Sequence, residues 1–245
     1  MCYHTSNSHN TKKIEEHFKV GLSATNLRTI FDKSNYHLNG FTHPNMLLIP
    51  QEKSKVLAPG VWGIVPSNKS ANEIKDYYIE AVKYGGGLNA RSEKLFQHYM
   101  YRESVMSRRC IIPVSGFFEP HEHLKKKYPY YFHSSNKEPL ALAGLYSVID
   151  TYITFTILTK EASPLFAKIH NKKKRQPVIL EQENVNNWLS NDLNKNDISE
   201  LVRAEYPESK IESYPVSKDL FSRQINSNVK TIIDKVSYEE LNQLF

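Results

Sequence analysis

Cysteine is scarce in this chain of 245 residues, which contains only Cys2 and Cys110. Two cysteines are too few for a disulfide framework, so the sequence excludes the small secreted scaffolds that depend on several bridges. Residues 1–13 are polar and lack the apolar region of a signal peptide, and no apolar run approaches the length that crosses a membrane. We therefore expect a cytoplasmic chain that does not bind a membrane and whose cysteines remain thiols.

The charge of the chain is moderately positive, with 32 Lys and Arg against 26 Asp and Glu. The net charge of +6 favours an anionic partner such as nucleic acid. With 40% hydrophobic residues the chain can bury a sizeable core, and no stretch has the composition of a linker. We expect one domain over residues 1–245, with a monomer as the default state.

Short β-branched and aromatic runs are mixed with Lys- and Glu-rich helical stretches, which predicts an α+β fold whose strands curl into one coiled sheet system. The predicted strands cover residues 46–49, 61–65, 110–114, 116–119, 128–133, 140–149, 152–158 and 178–180. The predicted helices cover residues 72–84, 92–108, 164–168 and 184–190. Loops are predicted at the glycine run 85–87 and at residues 191–197.

Cys2 directly follows Met1, and an aminopeptidase that removes Met1 would turn it into a free N-terminal aminothiol. An α-amino group titrates near pKa 8, against about 10.4 for lysine, so roughly a tenth of it is neutral at pH 7. The amine and the adjacent thiol can condense with an aldehyde and close a five-membered thiazolidine ring without a metal or cofactor. The alternative is that a cysteine at this position has no chemical role.

The sequence Asn-Ala-Arg-Ser-Glu at residues 89–93 lies between the glycine run and a predicted helix start. Backbone N–H groups and Arg91 can meet an anion such as phosphate there. The alternative is a helix cap with a solvated arginine.

Glu119 ends an apolar segment, residues 110–119, that bends at Gly116. A carboxylate beside Phe117 and Phe118 would lose solvation, which raises its pKa and allows it to hold and pass on a proton near neutral pH. The alternative is a strand-end glutamate that points into water. We interpret Cys110 as a small core residue.

His170 is followed by four consecutive basic residues at 172–175. A histidine that titrates near pH 6.5 could act as an acid on a sugar oxygen, and the basic run could hold phosphates. The alternative is a surface histidine before a solvated charge run. Trp62, in Trp-Gly-Ile-Val-Pro at residues 62–66, could stack on a base or serve as a core tryptophan on a strand.

In combination these segments resemble the SRAP family, the SOS response-associated peptidases, also called abasic site processing proteins. The resemblance covers nearly the whole chain, and its most specific motifs are Asn-Ala-Arg-Ser-Glu and Gly-Phe-Phe-Glu. The matching features are Cys2 and residues 62–66, 89–93, 109–119, 143–146, 156–159, 170 and 177–180. The resemblance implies an α+β domain with coiled, mostly antiparallel sheets that form a barrel-like core flanked by helices, and it implies no cofactor.

For the site residues, the resemblance implies that Cys2 is a nucleophile that captures the aldehyde of an abasic site in single-stranded DNA and closes to a covalent thiazolidine. Glu119 matches a catalytic glutamate that moves protons, and His170 matches a histidine that helps open the sugar ring. Asn89 would hold the N-terminal residue or the lesion, and Arg91 would contact a phosphate. Metal ligands are not implied.

Three further residues, Trp62, Arg109 and Arg175, are predicted to contact the DNA. The chain also departs from the family pattern. Tyr3-His4 stand where Gly-Arg is common, so a phosphate contact from that arginine is lost or changed. Pro120 replaces a tryptophan after the glutamate. The interval from His170 to residue 177 is longer than usual, and it leaves open which of residues 172–175 face DNA.

Two other function classes stay open from the sequence. A thiol peptidase, autoproteolytic or acting on other proteins, would use Cys2 as nucleophile with His170 or Glu119 as base, and a Schiff base could also lead to lyase cleavage. A non-catalytic module for single-stranded nucleic acid would use the basic charge and the aromatics. A metal site on His-Glu-His at residues 121–123 is disfavoured against a polar hairpin tip, because no third ligand is indicated.

Overall fold

The computed structural model describes residues 2–241. Its strands are β1 His4–Asn7, β2 Gly21–Leu22, β3 Asn35–Asn39, β4 Asn45–Pro50, β5 Val56–Trp62, β6 Asn89–Arg91, β7 Arg109–Val114, β8 Gly116–His123, β9 Lys126–Ser134, β10 Leu140–Ile149, β11 Tyr152–Glu161, β12 Arg175–Pro177, β13 Ile179–Leu180 and β14 Ile211–Pro215. Its α-helices are α1 Thr11–Phe18, α2 Arg28–Phe31, α3 Ile74–Ala81, α4 Ser104–Ser107, α5 Pro164–Ile169, α6 Gln182–Trp188 and α7 Lys195–Arg203. Among residues 2–241, no helix combines the length and the apolar composition needed to cross a bilayer.

The core of the fold is a closed ring of five strands in the order β5, β4, β7, β10, β11. Neighbours in the ring pair antiparallel except at the closure, where β11 runs parallel to β5 with Thr154 opposite Val61. β-branched and apolar side chains fill this ring, since β7 and β10 are buried along almost their whole length. The predicted α+β fold with a barrel-like core is therefore confirmed.

A second sheet of five strands, ordered β14, β9, β8, β1, β3, packs beside the ring. The β8–β9 hairpin forms its centre, and the rings of Phe117 and Phe132 stack there with centroids 5.2 Å apart. Phe166 of α5 stacks on Phe132 at 4.7 Å, which fixes the helix that precedes His170 against this sheet. The packing of α5 on this sheet places His170, at the end of the helix, near strand β8.

The predicted strand at 140–149 has the observed bounds, and the other predicted strands are confirmed within a few residues, except the one at 61–65. That prediction is misplaced, because β5 covers Val56–Trp62 and only its last two residues lie in the predicted range. The predicted helix over 92–108 is wrong. A 3₁₀ turn at Ser92–Lys94 follows β6, and α-helix returns only at Ser104–Ser107. The intervening residues form turns that bury Leu95 and Tyr101, so tertiary packing overrides the helical periodicity.

The predicted loop at 191–197 is wrong in its second half, because α7 begins at Lys195. The side chain of Asn194 accepts hydrogen bonds from the backbone N–H groups of Asn196 and Asp197, and this cap explains why an Asn- and Asp-rich stretch starts a helix. The predicted helix over 72–84 is confirmed as α3 with 3₁₀ turns at both ends.

The glycine run 85–87 ends that helix in left-handed backbone, with φ of 91° at Gly85 and 68° at Gly87. A Cβ at Gly87 would lie 2.5 Å from the carbonyl oxygen of Ile64, so only glycine fits this approach. The tight turn leads the chain directly into β6.

The second sheet ends at edge strand β3. There the side-chain oxygen of Asn228 accepts hydrogen bonds from the backbone N–H groups of Tyr36 and His37.

Candidate active site

Cys2 is buried at the N-terminal end of β1, with none of its surface exposed. β1 pairs with β8 so that Thr5 lies opposite Phe117, and this antiparallel register directs the residues before His4 towards Glu119. The Cys2 thiol donates to the carbonyl oxygen of His4 at 3.8 Å. Burial, followed by the negative charge of Glu119, raises the pKa of the thiol well above its ordinary value. The thiol is therefore protonated and close to the glutamate.

Asn89 holds Cys2 from the barrel side. Its side-chain Nδ2 donates a hydrogen bond of 2.9 Å to the Cys2 carbonyl oxygen. Asn89 starts β6, which runs parallel to β11 with Asn89 opposite Ile157. Because side chains alternate along a strand, Arg91 points to the same side as Asn89, and it is exposed. Strand β6 thus carries a residue that holds the cysteine and a solvent-exposed cation next to it.

Glu119 is fully buried on β8, where it lies opposite Tyr130. Burial raises the pKa of this carboxyl group to about 7. A carboxyl group with this pKa is present in both protonation states at neutral pH, as the Phe-Phe context of its strand predicts. It can therefore take up or release a proton without a large energetic cost.

His170 follows the last residue of α5 and is also buried. Its Nδ1 lies 2.8 Å from the carbonyl oxygen of Arg175 and 3.2 Å from Oε2 of Glu119. The carbonyl can only accept, so Nδ1 carries the hydrogen and Nε2 is left as the basic nitrogen of the neutral ring. Burial lowers the pKa of His170 to about 4, so the imidazole is neutral at pH 7.

These contacts connect the four residues that the sequence nominates for catalysis. Asn89 binds the Cys2 backbone, Cys2 lies within electrostatic range of Glu119, and Glu119 contacts His170. The arrangement contains a thiol, a carboxyl group poised near pH 7 and a neutral imidazole, which together suit proton transfer around a nucleophile. Over residues 2–241, no group of three or more potential metal ligands is present.

Two of the predicted DNA contacts are wrong. Trp62 is fully buried, and its Nε1 donates to the carbonyl oxygen of Leu88 at 2.9 Å. Arg109 is also fully buried, and its guanidinium donates to the carbonyl oxygens of Val105, Met106, Trp188 and Ser190. Both side chains use their hydrogen-bonding groups inside the protein, so neither presents a surface to a base or phosphate.

The four basic residues after His170 differ in burial and in their ion-pair partners. The Arg175 side chain is buried, and its guanidinium pairs with both carboxylate oxygens of Glu93 instead of facing solvent, which removes the support for a DNA contact. Lys172 binds Glu122 at 2.9 Å, while Lys173 and Lys174 are exposed. The predicted hairpin at residues 121–123 is confirmed, with its turn at residues 124–125.

Sequence reasoning missed two aromatic features beside the site. The ring of Tyr3 lies 4.9 Å from that of Phe41, whose side chain is 41% exposed. A groove of about 550 Å³ also borders Asn89. The groove is lined in part by His98 and by four tyrosines, namely Tyr77, Tyr84, Tyr99 and Tyr101. The chain contains 15 tyrosines, which is the sequence signal for an aromatic surface, but the sequence alone does not indicate that four of them line one groove.

The SRAP family model, described as SOS response associated peptidase, matches residues 1–223. The abasic site processing protein YoqW of Bacillus subtilis is 31% identical over 172 residues, which cover 68% of this chain and 71% of that protein. The abasic site processing protein YMR114C of Saccharomyces cerevisiae is 29% identical over 167 residues, which cover 65% of this chain but only 42% of the yeast protein.

Among solved structures, a protein from Bacteroides thetaiotaomicron superposes with a TM-score of 0.83 at 29% identity, covering 96% of this chain and 100% of that one. A protein from Bordetella bronchiseptica with a TM-score of 0.72 shares the fold at 24% identity. Fold, ordered motifs and family model agree over most of the sequence. This chain belongs to the SRAP family, whose curated relatives are abasic site processing proteins.

Proposed function

We propose that this protein captures abasic sites in single-stranded DNA by forming a covalent thiazolidine at Cys2. The observation that supports this proposal is the hydrogen bond from Asn89 to the Cys2 carbonyl oxygen, which holds the potential aminothiol beside the Glu119–His170 pair. A general thiol hydrolase needs its cysteine ionised by a neighbouring base, whereas burial and Glu119 keep this thiol protonated. A protonated thiol next to a free amine suits condensation with an aldehyde.

The reaction balances without a cofactor. To open the sugar, Nε2 of the neutral His170 accepts the proton of the hemiacetal hydroxyl, protonated Glu119 donates a proton to the ring oxygen, and the bond between that oxygen and the anomeric carbon breaks to give the aldehyde. The Cys2 amine then attacks the aldehyde carbon, forming a C–N bond and a carbinolamine, and loss of water with proton transfer through Glu119 gives the Schiff base. The Cys2 sulfur adds to the same carbon, forming the C–S bond, while the thiol proton passes to the ring nitrogen. One water leaves for each crosslink formed.

The surface next to this site supports single-stranded DNA as the substrate. The groove beside Asn89 presents Tyr84, which is 83% exposed, and Tyr99, which is 66% exposed. Aromatic side chains in such a groove stack on unpaired bases, and each stack contributes about 1–3 kcal/mol. Arg91 and Lys83 supply cations for the backbone, since both are exposed. Bases on one side of the lesion would lie along this groove.

The Tyr3–Phe41 pair lies beside the glycine run that borders this groove, because a Cβ at Gly85 would lie 3.9 Å from the Tyr3 hydroxyl. Burial, and after it the charges of Glu119 and Cys2, raise the pKa of Tyr3, which places the ring within electrostatic range of the reactive groups. The face of Phe41 is exposed beside it. We expect this aromatic pair to contact the base adjacent to the abasic sugar. Tyr3 stands at a position where the common family pattern has glycine.

Intact mass spectrometry tests the proposal. The purified protein, lacking Met1, is incubated with a single strand that carries one abasic site, beside Cys2→Ala and an undamaged strand. We expect a heat-stable adduct equal to protein plus DNA minus one water, only with wild-type protein and damaged DNA. Complete Met1 removal without an adduct would reject the crosslinking function. Strand cleavage without an adduct would assign lyase chemistry, and hydrolysis of an unrelated peptide would assign a peptidase.

A further inference from the structure

Arg175 and Glu93 form a partly buried ion pair next to the imidazole of His170. Both terminal guanidinium nitrogens of Arg175 donate to the Glu93 carboxylate, with Nη2 to Oε2 at 3.1 Å. The Arg175 side chain is 8% exposed and that of Glu93 49% exposed. Geometry of this two-point type fixes the guanidinium plane as well as its position.

The same guanidinium links two strands and the 3₁₀ turn that follows a third. Nη2 of Arg175 also donates to the carbonyl oxygen of Thr159 at 2.7 Å. Arg175 belongs to β12, Thr159 to β11, and Glu93 follows β6, and β11 lies between the other two strands. The side chain therefore spans from β12 across β11 to the segment after β6.

The backbone of Arg175 performs a second task, because its carbonyl oxygen accepts the hydrogen bond of His170 Nδ1 at 2.8 Å. The intervening residues 171–174 form a short turn closed by the hydrogen bond from Lys174 N to His170 O at 2.9 Å. Anchoring Arg175 therefore anchors the acceptor that selects the tautomer and the ring orientation of His170. Without the anchor, the carbonyl can move away from Nδ1, which weakens the preference for the hydrogen on that nitrogen.

We infer that Glu93 is a positioning residue for His170, acting through Arg175, and this inference rests on the proposed function of the site. The segment 89–93 would then organise both halves of the catalytic group. Asn89 holds the cysteine, and Glu93 holds the imidazole through the ion pair. One short strand and the 3₁₀ turn after it would therefore hold both the nucleophile and the proton carrier.

A competing role for Glu93 is to orient Arg91, whose Nε lies 3.9 Å from Oε2 of Glu93. This contact is longer than a hydrogen bond and joins two exposed side chains, so it contributes little. The two roles predict different kinetics. Loss of His170 positioning lowers the maximal rate of crosslinking, whereas loss of Arg91 orientation weakens DNA binding.

Glu93→Ala, Glu93→Gln and Arg175→Met test the inference by single-turnover crosslinking over a range of DNA concentrations. We expect Glu93→Ala and Arg175→Met to lower the maximal rate at least tenfold, with half-saturation within twofold of wild type. Glu93→Gln, which still accepts a hydrogen bond, should lie between Ala and wild type. The double variant should be no slower than the slower single variant, because both act on one path. Glu16→Ala, which removes an exposed partner of Lys12, is the matched control.

A second readout does not depend on activity. Imidazole ¹⁵N shifts of His170 report its tautomer, and we expect Glu93→Ala to reduce the fraction with the hydrogen on Nδ1, while Glu16→Ala leaves it unchanged. An unchanged His170 tautomer and an unchanged maximal rate would overturn the inference, as would a change confined to half-saturation. If wild-type protein forms no adduct at all, the proposed function fails, and the ¹⁵N shifts alone decide the role of Glu93.

Discussion

Nδ1 of His170 lies 3.2 Å from Oε2 of Glu119, and the two side chains are 4% and 0% exposed. Burial shifts both groups towards their neutral forms, because it lowers the pKa of the imidazole to about 4 and raises that of the carboxyl group to about 7. The carboxyl group therefore changes charge near neutral pH while the imidazole stays uncharged. Glu119 is therefore the member of this pair that takes up or releases a proton near neutral pH.

Replacement of Glu119 by glutamine should make the protein more stable at alkaline pH and almost inactive. The pKa of Glu119 rises from 4.5 to about 7 on folding, so the folded state binds the proton more tightly than the unfolded chain. Wild-type stability then falls as pH rises from about 4.5 to about 7, by about 3 kcal/mol in total. Glutamine does not ionise and avoids this loss.

Urea unfolding of both proteins at pH 5 and pH 8.5 measures the effect. The advantage of Glu119→Gln should be small at pH 5 and reach about 3 kcal/mol at pH 8.5. An advantage that does not change with pH would show that Glu119 keeps an ordinary pKa. Glu16→Gln, on the exposed face of α1, is the control and should show no such pH dependence.

Asn89→Ala should slow crosslinking without a matching loss of DNA affinity. The variant loses one hydrogen bond to the Cys2 carbonyl oxygen, with a net contribution of about 1 kcal/mol, which corresponds to roughly a fivefold lower rate. Asn89→Asp should be slower still, since it places a carboxylate oxygen against that carbonyl. Single-turnover gels give the rates, and fluorescence anisotropy with undamaged DNA gives the affinity. A larger effect on affinity than on rate would assign Asn89 to DNA binding.

Arg91→Ala should weaken DNA binding and reduce its dependence on salt. Loss of one phosphate contact on single-stranded DNA lowers the slope of log K against log salt by about 0.7. The control is Lys53→Ala, because Lys53 lies at the far end of the β4–β5 hairpin from the site. Anisotropy titrations between about 50 and 200 mM salt measure both slopes. Equal slopes for wild type and Arg91→Ala would exclude the contact.

Tyr84→Ala should weaken binding to single strands through the loss of a stacking surface. The expected decrease is about 5- to 150-fold, which corresponds to about 1–3 kcal/mol for one stacked base. Tyr152→Ala is a matched control because Tyr152 is also exposed, at 53%, but lies outside the groove. Thermal unfolding should be similar for both variants. If the two tyrosines had equal effects on affinity, the groove would not be the path of the DNA.

Arg109→Met should destabilise the fold while leaving the DNA properties of the folded protein intact. The substitution removes the donors for four backbone carbonyls, which should cost about 3 kcal/mol or more. Denaturant unfolding measures this loss. The salt dependence of DNA binding, measured under native conditions, should equal that of wild type. A reduced slope would restore Arg109 to the DNA interface.

Much of the barrel could be predicted because its strands carry their own signal. The continuous apolar run of β10 predicts its bounds, and Phe117 and Phe118 predict the desolvation of the neighbouring Glu119. The helix α1 was not predicted, since its start depends on a side-chain cap from Asn10 inside a polar stretch. Propensity alone does not reveal such local contacts.

The errors within the site have a different origin. From sequence alone an arginine is expected to be a solvated cation. The burial of Arg109 depends on carbonyl groups at the end of α6, about 80 residues away, which the sequence does not place beside it. The pairing of Arg175 with Glu93 likewise requires β12, β11 and β6 to lie side by side. Charged side chains that are buried against partners distant in the sequence cannot be recognised from composition or spacing.

The hydrogen bonds from β3 to Asn228 also affect how the protein can be handled. The family model ends at residue 223, so a fragment cut at that boundary would lack Asn228 and leave the N–H groups of Tyr36 and His37 without this acceptor. An uncovered edge strand pairs readily with the edge of another molecule. Shortening the chain to the family boundary would therefore promote aggregation, although every residue of the candidate active site would be retained.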